Sequence, residues 1–215
     1  MRAKVVDNCF IGTKKYSIYA IIFFIQKKEG TLNMYAISLI IPTIGRKEEV
    51  ENLLQSILEL NYSNIAEIII VDQNEENFLE EIVKRFEKKL NILHLRVNFK
   101  GAAKARNYGV KYATGDILGF PDDDSCILKN TLMRVNELLS KDSELIAIFG
   151  KVKDPSNKTN IISYINYTSY IKFSNLYRTT IECSIFIRKQ EFIKIGMFDE
   201  ELGIGTYLDQ KREQI

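Results

Sequence analysis

The chain has 215 residues, an apolar share of 46% and a charged share of 27%, which is the composition of a globular protein with one α/β core. A balance of 30 basic against 28 acidic residues lacks the basic excess that a dedicated nucleic-acid binder needs for phosphate contacts. Three cysteines without a metal-binding spacing and a single histidine argue against a zinc site and a Ser-His triad, and they fit a reducing, cytoplasmic setting.

The first 33 residues do not share the pattern of the rest. Residues 16–25 form an apolar run about half as long as the roughly 18 to 20 residues that span a bilayer. Lys14 and Lys15 before this run are typical of a signal peptide, but no small-residue cleavage site follows. Because the pattern of strands and helices begins just after Met34, we predict that residues 1–33 are an extension outside the fold or upstream sequence wrongly assigned to the protein.

From residue 35 onward, short apolar runs alternate with segments of helical periodicity. The apolar runs predict buried strands at 36–41 (ended by Pro42), 68–71, 92–97, 117–120, 145–149 and 182–187. Helical spacing predicts helices over 50–58, 78–86, 101–113, 128–139 and 190–195. This alternation indicates right-handed crossovers and an α/β fold with a mostly parallel sheet flanked by helices.

Polar clusters follow three of the predicted strands. They occupy residues 42–46, 72–74 and 122–124. In an open parallel sheet, ligands bind at the carboxyl ends of the strands. A single carboxylate at such an end is usually a helix cap or a turn residue. Three clusters at one edge therefore predict a ligand site.

The aspartate triplet is the sharpest feature of this edge. In an extended backbone, Asp122 and Asp124 point to the same side while Asp123 points to the other. Two converging carboxylates repel each other unless one is protonated or a cation lies between them. Hard oxygen ligands suit Mg²⁺ or Mn²⁺ with a diphosphate. The alternative is that the triplet or Ser125 caps a helix near Leu128 without any metal.

Two further side chains are candidates for contact with a nucleotide. Arg106, on an alanine-rich helix, can offer a planar fork to a phosphate or a base carbonyl; the alternative is an exposed helical arginine. Asp72 can accept a hydrogen bond from a ribose or a base N–H; the alternative is a helix N-cap. His94 lies in an apolar run and is interpreted as a strand residue whose ring has a hydrogen-bond partner.

Four stretches of the chain resemble the family 2 glycosyltransferases, which have the GT-A fold. They are ISLIIPTIGR (37–46), IIIVDQN (68–74), GAAKARNYGVKYATGDILGFPDDD (101–124) and FIRKQEFIKIGMFDEELGIGT (186–206). The third stretch is the most specific, because it joins an Ala-Arg-Asn helix to a strand and an acidic triplet. The resemblance implies a domain over residues 34–206 that transfers a sugar, with inversion, from a nucleotide-diphosphate donor to an acceptor hydroxyl.

The resemblance also implies roles for particular residues. Donor binding is implied for Pro42, Thr43, Arg46, Asp72, Arg106, Asp122 and Asp123. A divalent Mg²⁺ or Mn²⁺ is implied as cofactor, held by Asp122 and Asp124, with Asp124 as the expected direct ligand. The implied acceptor is a glycan or a lipid-linked molecule used in cell-surface polysaccharide or glycolipid synthesis. Such an acceptor is compatible with peripheral association at the inner face of the membrane.

The chain departs from the family's pattern after Thr206. The family continues through a Gly-rich turn into an acidic Glu-Asp cluster that holds the base, whereas residues 207–215 form a tail that does not match. Asp209 and Glu213 are the candidates for the base within this tail. We therefore expect a truncated enzyme that binds donor but transfers sugar slowly, or a catalytically dead remnant that only binds nucleotide sugar.

A phosphoryl-transfer enzyme with an aspartate nucleophile is a further alternative for the acidic triplet. Such enzymes carry their DxD motif after the first strand and continue with Thr or Val. Here the motif follows the fourth predicted strand and continues Asp124-Ser125-Cys126. The sequence therefore disfavours this reaction class.

Overall fold

The computed structural model describes residues 2–11, 17–19, 34–154, 159–160 and 169–201. Ten strands lie within these ranges: β1 (Arg2–Ile11), β2 (Ser17–Tyr19), β3 (Ile37–Thr43), β4 (Ile65–Asp72), β5 (Ile92–Arg96), β6 (Ile117–Gly119), β7 (Leu145–Asp154), β8 (Thr159–Asn160), β9 (Ser169–Tyr170) and β10 (Ile185–Arg188). The α-helices are α1 (Lys47–Glu59), α2 (Glu80–Phe86), α3 (Ala102–Val110), α4 (Thr131–Lys141) and α5 (Lys189–Lys194). Two 3-10 helices cover Phe173–Arg178 and Glu182–Ser184.

The strands form one sheet in the order β5-β4-β3-β6-β10-β7-β1-β9, and β2 and β8 pair with β7. β5, β4, β3 and β6 are parallel neighbours. β10 lies between β6 and β7 and is antiparallel to both. The predicted α/β class with a mostly parallel sheet is therefore confirmed. β10 runs against its two neighbours inside the sheet, and the short strands β8 and β9 are antiparallel to β7 and β1.

Both faces of the sheet are covered, because alternate side chains of the central strands enter two separate apolar clusters. Ile37, Leu39 and Ile41 pack in a cluster with apolar residues of α1, α2 and α4. Ile40 belongs to the opposite cluster, which includes residues of α3 and Phe192 of α5. These apolar faces explain why the sequence shows continuous rather than alternating hydrophobic runs in the strands.

The structure corrects the prediction that Pro42 ends the first buried strand. Pro42 lies inside β3, opposite Val71 of β4. The carbonyl of Thr43 points toward β4, because it accepts the N–H of Gln73 at 3.0 Å. Main-chain groups of successive strand residues point in opposite directions, so those of Pro42 point toward β6. The pairing with β6 stops at Leu39, and the missing N–H of proline therefore leaves no partner unsatisfied.

Several predicted boundaries also shift. The predicted strand over 182–187 begins only at Ile185, after the 3-10 helix, and the predicted helix over 128–139 begins at Thr131.

The longest described α-helix, α1, has 13 residues. Within the described residues no helix is long and apolar enough to cross a membrane.

The backbone before Met34 contributes two strands that the sequence did not predict. β1 lies parallel to β7, with Arg2 opposite Leu145, and β2 lies antiparallel to β7. Among the residues whose side chains the structure describes, the members of both apolar clusters lie within residues 35–198. The boundary at Met34 therefore stays a prediction that can be tested.

A chain that begins at Met34 is expected to melt within a few degrees of the full chain, because the alternation of apolar strands and amphipathic helices is complete from residue 35 onward. Differential scanning calorimetry of the two chains at equal concentration measures this. A much lower melting temperature for the shorter chain would show that the pairing of β1 with β7 is needed for stability.

Gly109 marks the closest approach of α3 to the sheet. A Cβ at this position would lie 2.6 Å from Cγ2 of Ile40 and 3.2 Å from Cγ2 of Val71. Gly109→Ala is therefore expected to lower the free energy of unfolding by about 1–2 kcal/mol, although alanine favours a helix by about 1 kcal/mol. Urea unfolding checks this, with Lys111→Ala as an exposed control on the same segment. A more stable Gly109→Ala variant would contradict the close packing.

Candidate functional site

The structure brings the three predicted polar clusters together at the carboxyl edge of the sheet. Thr43 and Asp72 are opposite each other at the ends of β3 and β4. The loop after β3 reaches the acidic turn after β6, because Nη1 of Arg46 lies 2.9 Å from Oδ1 of Asp123. Pro42 and Thr43 are buried at the base of this edge.

Arg46 joins two carboxylates of the triplet. Its Nη1 also lies 2.5 Å from Oδ2 of Asp124. Gly45, with φ of +70°, gives the loop the left-handed turn that directs Arg46 toward the triplet. Partial burial acts to lower the pKa of Arg46, but Asp123 and Asp124 outweigh it and raise that pKa above its ordinary value.

The triplet is a turn rather than an extended segment. The N–H and the hydroxyl of Ser125 donate to the carbonyl of Asp122 at 3.0 and 2.6 Å. The prediction that an extended backbone points Asp122 and Asp124 one way and Asp123 the other is therefore wrong, since Asp123 and Asp124 share Arg46. The alternative of helix capping is wrong as well, because α4 begins at Thr131 and its N-cap is Asn130.

Arg106 holds the remaining carboxylate. Its Nη2 lies 2.6 Å from Oδ1 of Asp122, and its guanidinium lies 5.5 Å from the ring centroid of Phe198. Only 11% of the Arg106 side chain is exposed, which rules out the alternative of an exposed helical arginine. The Asp122 side chain is 41% exposed. Partial burial raises the pKa of Asp122, and Arg106 opposes the rise.

Asp123 lies deeper than its neighbours. Only 7% of this residue is exposed, and burial raises the pKa of its carboxyl to about 6. The Thr43 hydroxyl lies close enough to oppose that rise in pKa, but it does not reach hydrogen-bonding geometry. Ionisation of Asp123 therefore lowers the free energy of unfolding.

Asp72 faces inward rather than toward the triplet. The residue is fully buried; its Oδ1 accepts bonds from the N–H and the side-chain amide of Asn74 at 2.9 and 2.7 Å, and its Oδ2 lies 2.8 Å from Nε2 of His94. Burial acts to raise the pKa of Asp72, but the bonds from His94 and Asn74 outweigh it and hold the pKa below its ordinary value.

These contacts settle two expectations about the end of β4. The N-cap alternative for Asp72 is wrong, because α2 begins at Glu80 with Leu79 as its N-cap. His94 is confirmed as a strand residue with a hydrogen-bonded ring. Asn74 belongs to the predicted polar cluster 72–74, but the sequence does not predict its two hydrogen bonds to Asp72.

Asn107, beside Arg106 on α3, ties the segment after α5 to the site. Its Nδ2 donates to the carbonyl of Phe198 at 2.8 Å and to Oε1 of Glu200 at 3.0 Å, and its Oδ1 accepts the N–H of Phe198 at 3.1 Å. The ring of Phe198 packs edge-on against Phe120, with centroids 5.0 Å apart. The sequence pattern gave no sign of these partners, which lie more than 90 residues away along the chain.

Buried polar atoms without a hydrogen-bond partner concentrate at this edge. Four such side-chain atoms occur within the described residues: Thr43 Oγ1, Gln73 Oε1, Arg106 Nε and Arg134 Nε. The first three belong to the site. Leaving a buried polar atom unpaired costs about 1–3 kcal/mol, so a polar ligand at this edge would recover part of that cost.

The triplet fits a divalent cation only in part. Within the described ranges, no group of three or more His, Cys, Asp or Glu side chains is arranged to hold a metal. Asp122 and Asp124 nevertheless offer hard oxygen atoms that are partly exposed, and Arg46 shows that a positive group is attracted to Asp124. Mg²⁺ or Mn²⁺ fits such a pair when diphosphate oxygens complete the coordination.

A cavity of about 470 Å³ lies beside the carboxyl edge of the sheet, and Asn74 of that edge forms part of its lining. Its lining combines aromatic and polar side chains: Asn74, Glu76, Arg96, Val97, Asn98, Phe99 and Tyr108. This volume lies within the range of small-molecule sites.

Asp209 and Glu213, the candidates for the base, lie outside the described residues.

Comparison with known proteins matches most of the chain to one family. The sequence profile of the family described as Glycosyl transferase family 2 matches residues 38–199. A glycosyltransferase of Haemophilus influenzae is 30% identical over 117 residues, which are 54% of this chain and 39% of the relative. The first curated relatives are matched over 31% to 39% of their length, so the chain spans about a third of them.

Two solved structures share the fold. Staphylococcus aureus TarS, a poly(ribitol-phosphate) beta-N-acetylglucosaminyltransferase, superposes with a TM-score of 0.68 at 22% identity, covering 79% of this chain and 52% of that one. TarS has also been solved with UDP. The mannosyltransferase PcManGT from Pyrobaculum calidifontis, solved with GDP-Man and Mn²⁺, gives 0.59 at 18% identity, covering 79% and 49%. At these identities the likeness shows the GT-A fold alone.

The pKa of Asp123 leads to a prediction about stability and pH. Because the pKa rises from 3.8 to about 6 on folding, the ionised carboxylate destabilises the folded state above pH 6, and this cost disappears as the pH falls toward 4. Asp123→Asn is therefore expected to raise the free energy of unfolding at pH 7.5 by up to about 3 kcal/mol and to have little effect at pH 4.

Urea unfolding at the two pH values measures the effect. Glu75→Gln, which removes the same charge from an exposed loop residue, is the control and is expected to change stability by less than about 0.5 kcal/mol. A loss of stability in Asp123→Asn at pH 7.5 would mean that the Arg46 contact outweighs the burial of the carboxylate.

Proposed function

The chain belongs to glycosyl transferase family 2, and from this premise we propose that it binds a nucleotide-diphosphate sugar and transfers the sugar, with inversion, to an acceptor hydroxyl. The proposal is supported above all by the alternation of charges at the carboxyl edge, where two arginines each contact the acidic triplet. We further propose that the acceptor is a glycan or a lipid-linked molecule of cell-surface polysaccharide synthesis. A peripheral position at the inner face of the membrane follows from such an acceptor.

The two arginines are assigned to the diphosphate of the donor. A guanidinium can meet two phosphate oxygens at once through its planar fork. Arg106 is nearly buried and keeps its position against Phe198, whereas the Arg46 side chain is 45% exposed on a glycine-containing loop. Arg46 is therefore the arginine that turns from Asp123 and Asp124 toward the incoming diphosphate, and Arg106 is the fixed one.

The carboxylates of Asp122 and Asp124 are assigned to a divalent cation, with Asp124 as the direct ligand. Mg²⁺ or Mn²⁺ held by these carboxylates would supply positive charge to stabilise the departing diphosphate. Departure of Arg46 leaves Asp123 and Asp124 without their counter-charge, and this makes the triplet more attractive to a cation once the donor has bound. Asp123 lies behind the two ligands and contributes charge to the same site.

The nucleoside is assigned to the ends of β3 and β4. Pro42 and Thr43 form the base of this region, and Gln73 contributes an unpaired Oε1 atom. Asp72 is proposed to accept a base N–H through the lone pair of Oδ2 that His94 does not use, which requires a small turn of its carboxylate. The adjoining cavity gives the base room beside Asn74.

Donor binding tests the first half of the proposal. Calorimetric titration of the chain with UDP, GDP and dTDP is expected to show at least one nucleotide that binds with Mn²⁺ and binds much more weakly with a chelator. Asp124→Ala is expected to remove this metal dependence, while Asp199→Ala, an exposed acidic residue after α5, keeps it. Equal affinity with and without metal would contradict the assignment of the triplet.

Sugar transfer tests the second half. The chain is incubated with a panel of nucleotide sugars, Mn²⁺ and mixed acceptors, and nucleotide release and sugar transfer are measured separately. Transfer that is lost in Asp124→Ala supports a glycosyltransferase. Donor binding without transfer to any acceptor would instead identify a module that binds nucleotide sugar without catalysis.

A further inference from the structure

A chain of hydrogen bonds connects β5 with the loop that carries Arg46. His94 Nε2 contacts Oδ2 of Asp72 at 2.8 Å, and Oδ1 of Asp72 accepts two bonds from Asn74. The side-chain oxygen of Asn74 then accepts the N–H of Gly45 at 2.5 Å. Gly45 directly precedes Arg46, whose guanidinium reaches the acidic turn.

His94 stabilises the first link of this chain. The carboxylate of Asp72 is fully buried, and a buried charge is costly unless it has polar partners. Asn74 lies only two residues after Asp72 in the chain, so its bonds to that carboxylate are local. His94 is the partner that comes from a neighbouring strand, where Ile70 opposes it in the β4–β5 ladder. The orientation of Asp72 is thus fixed relative to the sheet by His94.

The chain of bonds ends at ligand-facing loops rather than in the apolar core. Asn74 lines the 470 Å³ cavity. Its side-chain Nδ2 donates to Asp72, and its side-chain Oδ1 accepts the N–H of Gly45. A change in the direction of the Asp72 carboxylate therefore changes the wall of the cavity and the path of the Arg46 loop together. Hydrogen bonds that hold a binding group in place contribute to affinity without touching the ligand.

We propose that His94 is a positioning residue for donor binding, which acts through Asp72 and Asn74 on the cavity wall and on the loop that carries Arg46. The inference rests on the proposed function, because the site it adjusts is the proposed nucleotide site. His94 itself does not touch the donor.

Two substitutions with opposite chemistry test this role. His94→Leu removes the donor to Asp72, whereas His94→Gln keeps an N–H group at a similar reach. In titrations with UDP and Mn²⁺, His94→Leu is expected to weaken binding about ten- to a hundredfold, and His94→Gln to stay within about threefold of the parent chain. Unchanged or tighter binding by His94→Leu, at a temperature where the variant is folded, overturns the proposal.

A double-mutant cycle separates positioning from a general loss of structure. His94→Leu and Asn74→Ala break the same chain of bonds, so their combined effect on the UDP dissociation constant is expected to be clearly smaller than the product of the two single effects. A purely structural role for His94 predicts independent effects that multiply. Multiplying effects would therefore contradict the proposal.

Hydrogen exchange provides a readout that needs no nucleotide. The Gly45 N–H donates a hydrogen bond to Asn74, so its exchange is expected to be faster in His94→Leu than in the parent chain and to match the parent chain in His94→Gln. Unchanged Gly45 exchange in His94→Leu overturns the positioning role even if UDP does not bind. If the parent chain binds none of the nucleotides while Gly45 exchange responds as expected, the network stands and the proposed function fails.

Discussion

The side chains of β3 and of most of β4 are buried on both faces of the sheet, so the polar side chains that can meet a ligand lie at the carboxyl ends of these strands. This constraint places Thr43, Asp72 and the loops that follow them at a single edge. The loop after β6 reaches the same edge because β6 runs parallel to β3. Every candidate residue that the structure describes depends on this arrangement of parallel strands with covered faces.

The carboxylates of this edge differ in how they are stabilised. Asp72 is buried with three hydrogen bonds, and its pKa is held below the ordinary value. Burial raises the pKa of Asp122 and of Asp123, although each of them contacts an arginine. A buried charge with good partners favours stability, whereas the incompletely compensated charges of the triplet favour the binding of a further cation. Asp72 and the aspartates of the triplet are therefore distinguished by their surroundings rather than by their chemistry.

Three neighbouring positions of α3 perform three separate tasks. Arg106 contacts the triplet, Asn107 holds the segment after α5, and Gly109 lets the helix approach β3 and β4. The close approach at Gly109 fixes the position of the helix relative to the sheet. The directions of Arg106 and Asn107 follow from that position, since side chains on a helix project at fixed angles to one another. Packing at one glycine therefore sets the geometry of two polar contacts.

The sequence by itself determined the order of strands and helices from residue 35 onward, the α/β class of fold and the edge where the polar clusters lie, because apolar periodicity is a local property of the chain. The GT-A fold was implied by the resemblance of four stretches to a known family. The antiparallel insertion of β10 between β6 and β7 was not visible in it. Nor were the partners of the charged residues: Arg46 with Asp123 and Asp124, Asp72 with His94, and Asn107 with Phe198. These pairs join residues 22 to 91 positions apart, and the triplet forms a turn where an extended segment was predicted. Only the tertiary structure decided them, because the direction of a polar side chain in a loop depends on which distant groups the packing of the sheet and helices brings within reach.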